Sequence, residues 1–248
     1  MHVAGIISPP NWFDPSPAEF TSHCEGEVAT QQYTLPLFGF DFALNSIAKT
    51  EPEQLVGARA LGSCSCDVIA MTGTPFGWAG LDGEEEARSR GERLAQVAGV
   101  PTVMTGTSII DALRAAGISK VALAPTYYAP DWKEAWKSFV SSCGFNVVLC
   151  ETLEDQGLVT EEDKGSEFGW VMDPELVTAS VDVMARNPRG AEAIVVTGAG
   201  CRTNQYISAL EKTAGMPVIG SDTAVFWAAA KAANIPLKSG ALGALTDL

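Results

Sequence analysis

The residues best suited to chemistry lie in two short loops of similar composition. Thr72-Gly73-Thr74-Pro75 and Thr197-Gly198-Ala199-Gly200 each follow an apolar run. Small residues there let a ligand approach the backbone, so that N–H groups and the Thr74 hydroxyl can donate to it. A helix starting just beyond adds a positive dipole end. Such loops suit a carboxylate, or an oxyanion that develops during a reaction. They also fit two tight turns chosen for geometry alone. Neither is a dinucleotide fingerprint, since Gly198-Ala199-Gly200 lacks the third glycine and Gly73 has no second glycine two residues on. Tyr127 and Tyr128 follow another apolar run, where a phenol can donate to a bound oxygen or simply form a rim. Ser8-Pro9-Pro10-Asn11-Trp12-Phe13 is a rigid loop that could wall a pocket, or an ordinary exit loop. With only His2 and His23 in the chain, a Ser-His-Asp hydrolase and a nitrogen-rich metal site are both disfavoured.

The elements that must position these loops alternate. Strands are expected at 3–8, 67–71, 101–105, 120–124, 146–151, 193–197 and 217–220, each short and almost wholly apolar, as in sheets covered on both faces. Helices are expected at 55–63, 83–98, 108–116, 131–142, 174–186, 204–214 and 223–233. Asp173-Pro174 reads as a helix start, a capping oxygen followed by a ring whose missing N–H is harmless there. This alternation implies an α/β protein with parallel sheets. Two echoes run through it. Pro101 to Thr107 parallels Pro217 to Thr223, and Ile69 to Gly73 parallels Ile194 to Gly198. Either strand-turn-helix units simply look alike, or a duplicated unit makes two lobes facing across a cleft. In the second case Gly73 and Gly198 approach one ligand from opposite sides, beyond the carboxyl ends of their strands. Phe168, Trp170 and Met172, near Gly165 and Gly169, fit a lid, a specificity wall or a patch on a neighbouring subunit. The runs Glu84 to Glu86 and Glu161 to Asp163 read as solvated helix starts.

Composition narrows the partners. The chain has 248 residues, with 16 Lys and Arg against 30 Asp and Glu, a formal charge of −14. That balance argues against nucleic acid and against an anionic membrane surface. No apolar run reaches the length of a membrane span, and the N-terminus reads as a buried strand rather than a signal peptide. The six cysteines, Cys24, Cys64, Cys66, Cys143, Cys150 and Cys201, form no disulfide framework. Reduced thiols and a cytoplasmic location are the expectation.

At the two loops the chain resembles the aspartate/glutamate racemase superfamily, and within it the arylmalonate decarboxylase and maleate cis-trans isomerase group. The matching pieces run from Gly5 to Pro10, Val68 to Thr74, Val121 to Tyr127, Ile194 to Gly200 and Pro217 to Trp227. The resemblance implies two pseudo-symmetric flavodoxin-like lobes with the active site in the cleft between them, placed at 1–115 plus 220–248 and at 116–219. It implies no metal or organic cofactor, and a homodimer. It implies chemistry on a small carboxylic or dicarboxylic acid through a carbanion or enediolate, held in a cradle of N–H groups and hydroxyls. Carried over by position, Thr74, Tyr127, Ala199 and Gly200 form that cradle and Pro9 walls it.

The departures shape the expected reaction. The family places cysteine at one or both of two mirror positions, which here are Gly73 and Gly198. Gly73 fits the decarboxylase pattern, and Gly198 fits none of these activities. Pro75 stands where decarboxylases carry a serine, so the cradle is poorer in donors. Cys201 follows three residues after Gly198, in an expected first helical turn that would lower its pKa. It is either a relocated proton donor or a small buried apolar residue. Without thiols at the mirror points, racemisation and thiolate-based isomerisation are disfavoured and decarboxylation is favoured. The last proton could come from Cys201, Tyr127 or a water. Alternatives are a lyase or hydrolase using a water for which two glycines would leave room, and a non-catalytic carboxylate binder. Catalytic candidates are therefore Tyr127, Thr74 and Cys201; binding candidates are Pro9, Asn11, Gly73, Gly198, Ala199 and Gly200. Asn11, Asp222 and Arg202 could orient water or a carboxylate, and Trp78 or Trp170 could set substrate size.

Overall fold

The computed structural model describes residues 1–163 and 170–248. Its first half contains β1 (His2–Ser8), α1 (Ser16–His23), β2 (Val28–Thr34), α2 (Leu44–Ala48), α3 (Glu51–Ser63), β3 (Val68–Met71), α4 (Gly83–Ala98), β4 (Thr102–Met104) and α5 (Thr105–Ala115). Its second half contains β5 (Lys120–Ala124), α6 (Pro130–Ser142), β6 (Asn146–Cys150), α7 (Pro174–Arg186), β7 (Ala193–Val196), α8 (Ile207–Ala214), β8 (Val218–Gly220) and α9 (Ser221–Ala232). The strands form two four-stranded sheets, ordered β2-β1-β3-β4 and β6-β5-β7-β8, with every pair parallel. Numbered within its own half, each sheet has the order 2-1-3-4. The duplicated-unit reading therefore holds, and the chain is an α/β protein of two pseudo-symmetric lobes.

The registers make the symmetry quantitative. β1 pairs β3 from Ala4↔Val68 to Ile7↔Met71, and β5 pairs β7 from Val121↔Ala193 to Ala124↔Val196. The residue after each central strand then makes an equivalent bond. Thr72 N–H donates to Ile7 O at 2.9 Å, and Thr197 N–H donates to Ala124 O at 3.1 Å. β3 and β7 are buried along their whole length, which is why they read as unbroken apolar runs.

The helices that follow the last strands tie the lobes together. α5 packs on α9; α9 also reaches β3 and β4 of the first sheet, and α5 reaches β8 of the second. An aromatic cluster adds to the seam, with Trp78 stacked near Trp136 at 5.6 Å and near Phe139 at 5.8 Å. Trp78 is 3% exposed, so it belongs to this core and does not set substrate size.

Three elements were not expected from sequence. β2 is a polar edge strand, and α1 and α2 are short. α8 starts at Ile207 rather than 204, because Asp222 draws the preceding residues into a separate turn. Asn204 N–H donates to Asp222 Oδ2 at 2.8 Å and the Thr203 hydroxyl donates to Asp222 Oδ1. The Asp173 cap is as expected, its Oδ1 accepting the Glu175 N–H at 2.9 Å. Among the described residues no helix is long and apolar enough to cross a membrane.

Candidate active site

Each central strand ends in a threonine and then a glycine corner. The backbone at Gly73 has φ of 84° and at Gly198 φ of 144°, a region that side chains with a Cβ avoid. Space forbids a side chain as well. A Cβ at position 73 would lie 2.8 Å from Pro9 Cγ and 2.9 Å from Phe76 Cδ2. At position 198 it would lie 2.6 Å from Thr126 Oγ1, 2.8 Å from Tyr127 Cε1 and 2.9 Å from Cys201 Sγ. The corners are thus filled by their neighbours. They do not themselves leave room for a water, contrary to the expectation from composition.

The open space lies beside them. Gly73, Thr74 and Ala199 are shared walls of two small cavities of about 30 Å³ each. One cavity is polar, bounded further by Ser16, Thr72, Thr105, Ser221 and Asp222. The other is aromatic, bounded by Pro9, Phe76, Tyr127, Tyr128, Trp132 and Trp170 among others. Most of these rings also line a wider pocket of about 450 Å³ reaching the surface. The two corners do meet, through position 199 rather than Gly198 itself.

Hydrogen bonding sorts the cradle. Ala199 N–H donates to Tyr127 Oη at 3.1 Å. That amide is therefore not free for a ligand and reaches one only through the phenol. The phenol proton remains available on the side that faces the aromatic cavity. Burial, above all, pushes the Tyr127 pKa well up, with the nearby Tyr128 adding to the rise, so the group is a neutral donor. Tyr128 is raised to about 12 by burial, and the Thr197 and Thr74 hydroxyls beside it hold it partly down. Thr197 Oγ1 is itself buried without a hydrogen-bond partner in good geometry.

Cys201 departs from expectation. It closes a one-turn 3₁₀ helix, Ala199–Cys201, and does not open a long helix. Its side chain is 2% exposed. Burial pushes its thiol up to about 12, against a smaller lowering by the Thr126 hydroxyl. Thr126 spends its proton on Thr197 O at 2.8 Å, so at 3.4 Å it accepts from the Cys201 S–H. The thiol is protonated and inert as a nucleophile.

The remaining candidates lie to one side. Asn11, Gly200 and Cys201 line a separate groove of about 590 Å³, divided from the cavities by Trp12 stacked on Trp170 at 5.5 Å. Arg202, in that groove, is committed to Glu19, and Asp222 already accepts from Thr203, Asn204 and Thr223. Neither orients a carboxylate here. Of the aromatic loop, Trp170 walls the aromatic cavity, while Phe168, Gly165 and Gly169 lie outside the described residues. Among the described residues no group of three or more His, Cys, Asp or Glu side chains could hold a metal ion.

The model of the arylmalonate decarboxylase family matches residues 39–246. The chain belongs to the arylmalonate decarboxylase family. An arylmalonate decarboxylase from Bordetella bronchiseptica is 25% identical over 196 residues, covering 79% of this chain and 74% of its own. A structure of unliganded arylmalonate decarboxylase has a TM-score of 0.78 at 23% identity, over 100% of this chain and 99% of that one. A maleate cis-trans isomerase of Nocardia farcinica bound to TRIS has a TM-score of 0.77 at 18% identity, over 95% of this chain and 94% of that one. The relatives are decarboxylases and isomerases, so this chain is placed among carbon–carbon lyases and isomerases. Its two-lobed architecture is that of the arylmalonate decarboxylase structures.

Some lining residues were missed by the sequence reading. Trp132 and Phe42 wall the aromatic cavity, and Ser16, Thr105 and Ser221 wall the polar one. The last three open α1, α5 and α9 respectively. A hydroxyl at the first residue of three helices was the available signal.

Proposed function

We propose that this member of the arylmalonate decarboxylase family decarboxylates a small malonate-type diacid bearing an apolar or aromatic substituent. The observation that carries the reading is the shared wall. Gly73 and Thr74 from one lobe and Ala199 from the other border an aromatic cavity into which a neutral Tyr127 phenol can donate. Loss of CO₂ from a malonate leaves an enediolate, whose oxygens need donors and whose departing carboxylate needs a dry, apolar wall. Thr74 offers its hydroxyl and an N–H at the start of a one-turn helix, where no preceding carbonyl claims it. Tyr127 offers a second hydroxyl, sharpened by the amide bond it accepts. Pro9 and the surrounding rings supply the dry wall. Pro75 contributes no donor, so Tyr127 carries a large share of the oxyanion stabilisation. A racemase or thiolate isomerase needs a reactive sulfur at the corners, and Cys201 is buried and protonated behind Gly198.

The test is turnover of a panel of aryl- and alkyl-substituted malonates by the purified protein, followed by NMR for the monocarboxylate product. Product formation with an apolar substituent supports the reading. No turnover of any panel member, together with no α-proton exchange into the monocarboxylates in D₂O, overturns it.

A further inference from the structure

Two hydroxyls at the polar cavity have no protein partner. Ser16 is 6% exposed and Ser221 9% exposed. Both line the cavity, and among the described residues neither hydroxyl makes a hydrogen bond. Leaving two buried hydroxyls unpaired is costly, so a guest is expected between them. The rest of the lining says what the guest is. Thr105 donates to Met71 O at 2.9 Å, and Thr72 donates toward Asp14 Oδ2 at 2.7 Å. Their protons are spent, so both offer lone pairs. The helix starts do not make an anion site. Asp222 sits in the first turn of α9, and Asp14 Oδ1 accepts the Ser16 N–H of α1 at 2.9 Å, so carboxylates already meet those dipole ends. Asp222 is itself saturated by Thr203, by the backbone and side chain of Asn204, and by Thr223. A small neutral molecule with two donors and two acceptors satisfies this wall. The cavity measures about 30 Å³, and one water in the liquid occupies about 30 Å³.

We propose that Ser16 and Ser221 hold a single ordered water against Gly73, Thr74 and Ala199, and that this water is the proton donor to the enediolate in place of a thiol. The proton role rests on the decarboxylase reading above; the water site does not. The step balances. The C–CO₂ bond breaks and its electron pair enters the enediolate. A C–H bond then forms at that carbon as one O–H bond of the water breaks. The hydroxide combines with the released CO₂, so that malonate dianion and water become monocarboxylate and bicarbonate. A carbanion beside a carboxylate is a far stronger base than hydroxide, so the transfer runs downhill even beside Asp222. Cys201 lines neither cavity and has no path to the carbon. Ser16 and Ser221 are positioning residues that act through the water.

A crystal structure at a resolution that shows ordered solvent tests the site. One density peak within hydrogen-bond distance of both serine hydroxyls supports it; a dry cavity, or an ion there, overturns it. The proton role is read from α-hydrogen exchange of the monocarboxylate in D₂O, followed by NMR, for the wild type and for Ser221→Val, which fills the cavity. Exchange falling at least tenfold with KM within about threefold supports the role. Exchange at the wild-type rate, in an enzyme that turns over, overturns it. Ser16→Ala provides the same measurement should Ser221→Val not fold. If the wild type neither decarboxylates nor exchanges, the decarboxylase reading and the proton role fall together, and the density alone decides the water.

Discussion

Gly198→Ala is the sharpest perturbation of the corner architecture. The added methyl group meets two separate costs. The backbone at 144° is one that residues with a Cβ hold only under strain, about 1–3 kcal/mol. The new Cβ would also lie 2.6 Å from Thr126 Oγ1, 2.8 Å from Tyr127 Cε1 and 2.9 Å from Cys201 Sγ. Thr126 is held by its bond to Thr197 O and Tyr127 by its bond to Ala199 N–H, so neither yields freely. Overpacking of this kind costs about 1–3 kcal/mol. The expected total is about 2–6 kcal/mol, enough to remove much of the stability of an ordinary domain. Cys201→Ala removes the sulfur contact and leaves the backbone term. The double variant should therefore be more stable than the sum of its singles, by about 0.5–3 kcal/mol of coupling. Urea denaturation followed by tryptophan fluorescence measures all four proteins. A Gly198→Ala cost under about 0.5 kcal/mol, or strict additivity with Cys201→Ala, would refute the claim that the thiol occupies the side-chain space of residue 198.

Other outcomes follow from the same geometry. Tyr127→Phe should lower kcat by about one to two orders of magnitude through loss of an oxyanion donor, and unchanged kinetics would remove the phenol from the site. Iodoacetamide at neutral pH should label the exposed Cys64 and spare Cys201 until the protein unfolds; peptide mapping decides, and native-state labelling of Cys201 would contradict a closed, protonated thiol. Stability should fall above about pH 9. The Cys143, Cys150 and Cys201 thiols are raised from 9.0 to about 12, chiefly by burial, so between those limits the unfolded chain has lost protons that the folded chain keeps, and rising pH favours unfolding. For Cys201 the loss is on the order of 3 kcal/mol by pH 12, and Cys201→Ala should flatten the slope of denaturation midpoint against pH.

The lobes were legible because their central strands are buried on both faces and so appear as apolar runs, and because Asp173 and the glycine exits punctuate the helices. β2 was not, since an edge strand exposes half its residues and Val28 to Thr34 reads as a polar stretch. α1 was obscured by Pro15 and Pro17, although proline in a first turn does no harm. At the site, Gly73, Thr74, Tyr127, Ala199 and Pro9 came together as the order of the loops implied. Position 198 did not reach the cavity, because its turn points inward at Thr126 and Cys201. The state of Cys201 was not legible, since sequence shows a cysteine near a short helix but not the burial that decides its charge.

The polar cavity shows what a linear reading lacks. Ser16, Thr105 and Ser221 are each unremarked as first residues of separate helices, and no spacing relates them. They meet because α5 and α9 cross between the lobes, each packing on a strand of the opposite sheet. The duplication that makes the corners symmetrical thus brings α5 and α9 together on one side of them, where α1 also begins. The opposite side is left to rings from Phe42, Tyr127, Tyr128, Trp132 and Trp170. A symmetric fold has produced an asymmetric site, one face wet and one dry. A reaction that expels CO₂ on one face and takes a proton on the other requires that arrangement, whereas two-base racemisation requires equal faces.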